Sequence, residues 1–232
     1  ANLIQRTHLS LNIQKNIVDG LAISNSDFRM MASNPMFLNL LCDFMNKPVV
    51  PEFPKHIHIV FQDYVNKRLT RDNERVKARF SKTPQDIQAA AEKLAYCMTA
   101  DQGIGLSPTL DQLQSSIIKM GFDLEDDFSV LTDALAYLKL ARIDVSFVDG
   151  SKTFTFAHRR FQEYFATAIV LRQPNRVNNY DLLENGRWRE TAVVILQTQP
   201  IERIKEILDV AYKSLEEKSR KIGSDFANSD IH

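Results

Sequence analysis

Strand-like alternation in this chain is confined to one region, where it occurs twice in succession. "RIDVSFV" from Arg142 and "TFTFA" from Thr153 flank the linker "DGSK". Asp149-Gly150 in that linker is a dipeptide favoured in tight hairpin turns, because glycine adopts positive φ without steric cost. The two runs therefore predict a two-stranded antiparallel hairpin. Around it, apolar residues recur at helical spacing, which makes the predicted fold mainly α.

Three helical segments precede the hairpin. "TPQDIQAAAEKLAYCMTA" opens with Thr83 as a cap and Pro84 in the first turn, and its apolar positions run from Ile87 to Met98. After the turn "DQGIGL", Ser107 and Pro108 are expected to start a second helix through Leu113 and Ile117, ending at Gly121. "DLEDDFSVLTDALAYLKLA" supplies a third, with acids at its start where the helix dipole favours negative charge. Three helices followed by a two-stranded wing describe a winged helix. A further helix should follow the wing directly, from about His158.

Upstream, apolar positions between Leu9 and Ile23 suggest one or two short helices, with Gly20 and "SNS" as punctuation. In "SNPMFLNLLCDFMNK", Asn34 can cap and Pro35 suits the first helical position of a helix with a wide apolar face. "PVVPEFP" breaks the chain with three prolines, and a longer helix is expected from about Lys55 to Thr70. The polar, basic stretch "TRDNERVKARFSK" reads as a separator. Beyond the wing, "YDLLENGRWRETAVVILQT" and "PIERIKEILDVAYKSLEEKSRKI" are helical, with a fraying polar tail. The expected organisation is a helical domain over 1–76, a winged helix over 77–173 and a C-terminal helical region over 174–232.

Composition excludes several classes. With 44% hydrophobic and 25% charged residues in 232, the chain can bury a core. Basic and acidic residues balance at 29 each, so no overall charge recruits nucleic acid or anionic lipid. Cys42 and Cys97 sit in apolar helical segments without metal-binding spacing and read as reduced core thiols, an expectation that fits the cytoplasm. No apolar run approaches the roughly 20 residues of a membrane span, and the beginning lacks the design of a signal peptide. That beginning lacks methionine and enters a helical pattern at once, as an excerpt would.

No GxxxxGK[ST] loop is present, so this segment lacks the backbone cradle that holds triphosphate in P-loop enzymes. HExxH, GxSxG and GxGxxG after a strand are also missing. His56 and His58 could share a face on a strand and ligate metal, but in the expected helix they diverge. The acids from Leu124 to Asp127 lack the spaced oxygens and glycine of a calcium loop and suit helix capping better. A winged helix can bind DNA through the helix before the wing. Here that helix carries Asp126, Asp127 and Asp133 against Lys139, and phosphate would be repelled. Arg142, Lys152, Arg159 and Arg160 could still touch a DNA backbone, so DNA binding and a purely structural interaction module stand as alternatives.

His158 sits where the wing passes into the next helix, one turn before the apolar Phe161, and is expected to point inward. A helix start offers free N–H groups and the positive end of the dipole, a setting suited to phosphate or carboxylate, to which imidazole adds a donor. By composition alone, a core histidine bonded to a backbone carbonyl is the preferred account of the residue.

"FAHRRFQEYFATAIV" closely resembles the F-x-H-x-x-F-Q-E-Y-x-A signature in the winged helix of NACHT-type NTPases, of the STAND class of signalling ATPases. "ASNPMFLNLLCDFM" resembles the A-x-N-P-L-x-L-x-x-L-C helix of their small helical domain, and "GRWRETAVVIL" resembles the tryptophan segment after the winged helix. Arg160 and Thr167 depart from the signature, where a small hydroxyl residue and alanine are commoner. The resemblance implies a regulatory region downstream of a P-loop core in the same chain, which would explain the missing phosphate loop. It implies that His158 contacts the β-phosphate of ADP and holds a closed state, and that Pro35 packs near the adenine. Gln162 and Glu163 would bond across a domain seam, while Phe161, Tyr164 and Phe165 would be core. ADP or ATP with Mg2+ would bind the parent protein, tight binding to this segment alone not being expected. Activation by a ligand of unknown identity would lead to self-association, in prokaryotic antiviral defence or stress signalling.

Overall fold

A computed structural model describes residues 9–24, 26–49, 51–124 and 126–229, with side chains described for all of these except 26, 27 and 221–229. The described residues are mainly helical, with one two-stranded antiparallel sheet. They divide into two compact units, one ending at Gln85 and the other beginning at Asp86.

In the first unit, Ser10 accepts from the Ile13 N–H and starts α1, Leu11–Ile23. The expected interruption at Gly20 does not occur, because the helix runs through it. The glycine serves a close approach instead. A Cβ built there would lie 2.1 Å from the ring of Phe53. Of the other expected break, "SNS", Asn25 lies outside the described residues. α2 spans Ser26–Ala32, and α3, Pro35–Met45, begins as its sequence predicts: the Asn34 side chain accepts from the Met36 N–H at 2.9 Å. α4 covers Ile57–Arg71. Phe28, Phe37, Phe53 and Phe61 form the aromatic centre, with neighbouring ring centroids 5.1 to 5.8 Å apart. The basic stretch read as a separator is in fact helical: α5, Asn73–Phe80, buries Val76 beneath an otherwise polar surface. One buried residue in eight leaves too little periodicity to be seen in the sequence.

The second unit contains α6 from Asp86 onward, within Pro84–Ala100, then α7, Leu110–Lys119, and α8, Phe128–Tyr137. α7 starts later than expected. Thr109 and Gln112 form a reciprocal capping box, whereas Pro108 lies ahead of the helix and its carbonyl accepts from the Phe154 N–H at 2.9 Å. The Ser107-Pro108 pair thus flanks the sheet rather than opening a helix. Of the acids ahead of α8, Asp127 takes the N-cap position without a side-chain cap bond, and Glu125 lies outside the described residues.

β1, Ala141–Val145, pairs antiparallel with β2, Lys152–Phe156, in a register that places Ile143 opposite Phe154. The first strand stops short of Phe147 and Val148, which belong to the fully exposed turn, and Gly150 adopts φ +71° there. Alternation along β2 buries Phe154 and Phe156, and the ring of Phe165 in α9, Arg159–Arg172, lies 5.7 Å from that of Phe156. Phe161 and Phe165 are buried, as their helical spacing predicts, and so is Tyr164. α10 spans Asn179–Glu184, and after a single 3-10 turn holding the buried Trp188 come α11, Arg189–Thr198, and α12, Ile201–Ser229. The tail expected to fray is helical as far as Ser229. Cys42 and Cys97 are free and buried, and burial pushes the Cys97 thiol up to about 12.

Candidate functional site

The His158 backbone is extended, φ −152° and ψ 145°, because the residue is the N-cap of α9 rather than part of it. Its side chain is half-buried, whereas Phe161 and Phe165 are buried. Helical spacing starts only at the first helical residue, Arg159, so it does not set the direction of the cap. The Nδ1 atom accepts from the Arg160 backbone N–H at 3.1 Å, doing what a serine or aspartate cap does elsewhere. An accepting Nδ1 fixes the neutral ring with its proton on Nε2. Burial, and after it the charge of Arg160, lower the His158 pKa, which keeps that tautomer at neutral pH. The ring thus consumes one N–H of the helix start and offers Nε2–H in its place.

Two arginines occupy the first turn of α9, against the preference of a helix N-terminus for negative charge. Each has an acidic partner. Arg159 Nε donates to Glu163 at 3.0 Å, and Arg160 Nη1 lies 2.8 Å from Glu163 and 2.8 Å from Glu190 at the start of α11. Glu163 is pushed up by burial; the arginines pull it down and the Glu190 charge pushes it further up. Among the described residues, the Glu163 carboxylate is held by the two arginines of its own helix. Gln162 is buried and donates to Thr99 of α6 at 3.2 Å, a bond inside the second unit. Thr167, at the second departure from the signature, bonds the Thr191 hydroxyl at 2.8 Å with both side chains buried.

Of the arginines that could reach a DNA backbone, Arg159 and Arg160 are engaged as above, and Arg142 lies 3.7 Å from Asp144. Pro35 is the exposed first residue of α3 and belongs to the first unit, whereas His158 belongs to the second. His56 caps α4 by its backbone and His58 falls in the first turn; burial, then the charge of His56, lower the His58 pKa. No helix among the described residues is long and apolar enough to cross a membrane.

Two polar clusters escaped sequence reasoning. Asp101 is buried at the end of α6 and receives the Gly103 N–H, the Ser116 hydroxyl and Lys119. Desolvation raises its pKa, but these bonds together hold it below the usual carboxylate range. Arg187 donates to the Asp101 carbonyl at 3.1 Å, tying the segment before α11 to the end of α6. The second cluster joins Arg172 of α9 to the buried Glu92 of α6, which also accepts from Gln88 at 3.0 Å. Partners 80 residues apart leave no local sequence signal.

Comparison of the chain with protein-family models, with curated proteins and with solved structures finds no match.

Proposed function

We propose that this chain is a regulatory region of a NACHT-type signalling NTPase, coupling ADP or ATP state to opening and self-association. In this reading α6, α7, α8 and the β1–β2 hairpin form a winged helix, and a P-loop core in the same polypeptide supplies most nucleotide contacts, including Mg2+. The observation that carries the proposal is the bond from Arg160 N–H to His158 Nδ1. It leaves Nε2–H as a donor with fixed ring orientation, at the positive end of a 14-residue helix. These groups fit a nucleotide β-phosphate. The nucleotide supplies the negative charge; His158 donates to it, and the cap bond keeps the ring from turning. Pro35 would contribute an apolar contact to the base.

A ligand that bonds His158 only in the closed arrangement stabilises that arrangement by its differential affinity alone. Exchange for ATP would then favour opening. The test is the ADP content and solution mass of the polypeptide that includes the core, with and without His158→Ala. Loss of ADP and association of the variant are expected. A variant that retains stoichiometric ADP and stays monomeric refutes the proposal.

A further inference from the structure

We infer that Arg160 and Glu190 form a charge latch by which the start of α9 is coupled to α11. One guanidinium nitrogen, Nη1 of Arg160, serves two carboxylates, each at 2.8 Å: Glu163 on its own helix and Glu190 on α11. The same residue's backbone N–H is the group held by His158 Nδ1. Arg160 is therefore fixed at both ends, by the cap through its backbone and by α11 through its side chain. The inference rests on reading His158 as the ligand-facing residue, although its test does not.

Three features make this contact a switch element rather than ordinary packing. First, a half-buried guanidinium needs a partner, and Glu163 remains one when α11 moves away. Departure of α11 strands no cation. Second, Glu163 and Glu190 are like charges drawn to one nitrogen, and their mutual repulsion opposes the docked arrangement. Third, the same two helices are joined by a second polar pair, the buried Thr167–Thr191 hydroxyls. Polar pairs are satisfied in one register only, so this seam is docked or undocked rather than sliding. A first turn of α9 that loosens when the cap is lost moves Arg160, and with it the partner of Glu190. By reciprocity, undocking of α11 weakens the cap.

Native-state amide exchange on this chain, without nucleotide, tests the latch in wild type, His158→Ala, Glu190→Gln and the double variant. Glu190→Gln should speed exchange of the Arg160 amide, although it touches no cap atom. His158→Ala should speed exchange of Val193 and Val194 in α11. The double variant should fall short of the product of the single effects by about threefold or more, the mark of groups acting as one unit. His158→Asn keeps a cap acceptor and should leave α11 as in wild type. Multiplicative single effects, an α11 indifferent to His158→Ala, or an α11 loosened equally by His158→Asn would each overturn the latch. Should the double variant not fold, the two single variants and His158→Asn still decide. Nucleotide affinity does not enter, so the latch and the nucleotide reading can fail separately.

Discussion

His158 accepts the Arg160 backbone N–H at 3.1 Å through Nδ1, so a histidine takes the place of a serine or aspartate as the cap of a 14-residue helix. The cap has a measurable worth. His158→Ala should cost the second unit about 0.5–2 kcal/mol in urea unfolding, whereas His158→Asn should recover most of it. Equal losses in the two variants would show that the bond contributes nothing as a cap.

Burial of the His158 ring, and after it the charge of Arg160, set a pH dependence. The folded-state pKa of His158 lies below the ordinary 6.5, so the unfolded chain takes up its proton first as pH falls. The stabilisation is complete above about 6.5 and is lost as pH drops through the folded value. His58 shifts in the same direction and contributes likewise in the first unit. Urea midpoints at pH 7.5 and pH 5.0 should therefore fall with acid, and His158→Asn should reduce the fall. An unchanged pH slope in that variant would assign the effect elsewhere.

Gly20 faces Phe53 with no room for a methyl group, since a Cβ would sit 2.1 Å from the ring. Gly20→Ala improves helix propensity yet should destabilise the first unit, by about 1–3 kcal/mol. Adding Phe53→Leu should relieve part of that loss in the same unfolding experiment.

Glu92 is a buried carboxylate held by Arg172 and Gln88. Arg172→Met removes the charged partner and should cost about 1.5–3 kcal/mol, with Gln88 limiting the damage. Thermal unfolding at neutral pH reads it directly.

Cys97 is fully buried with its thiol pushed up to about 12 by burial. A thiol reagent at pH 8 should modify it only at the rate of unfolding. Labelling of the native chain within the mixing time would contradict its place in the core.

The hairpin, the α3 cap and the buried face of α9 were legible because each depends on neighbours in sequence: Asp149-Gly150, Asn34-Pro35, and Phe161 with Phe165. Gly20 was misread because its constraint comes from Phe53, distant in the chain, and glycine signals a close approach and a break alike. The start of α7 was displaced for a similar reason, the Pro108 carbonyl being taken by Phe154. His158 was identified as the residue of interest, but the acceptor role of its Nδ1 as a helix cap carried no signal of its own, because cap residues are ordinarily serine, threonine, aspartate or asparagine. Glu190 carried no signal at all, since its partner is thirty positions away on another helix.

The central claim is that His158 meets the β-phosphate, and the most direct measurement compares ADP with AMP. Calorimetric titration of both into a polypeptide with the proposed P-loop core would be made for wild type and His158→Asn, a variant that keeps the cap. The account predicts about tenfold or greater weakening of ADP, from the loss of one charge-assisted bond, with AMP binding unchanged. Equal affinities of the variant and the wild type for ADP would contradict it.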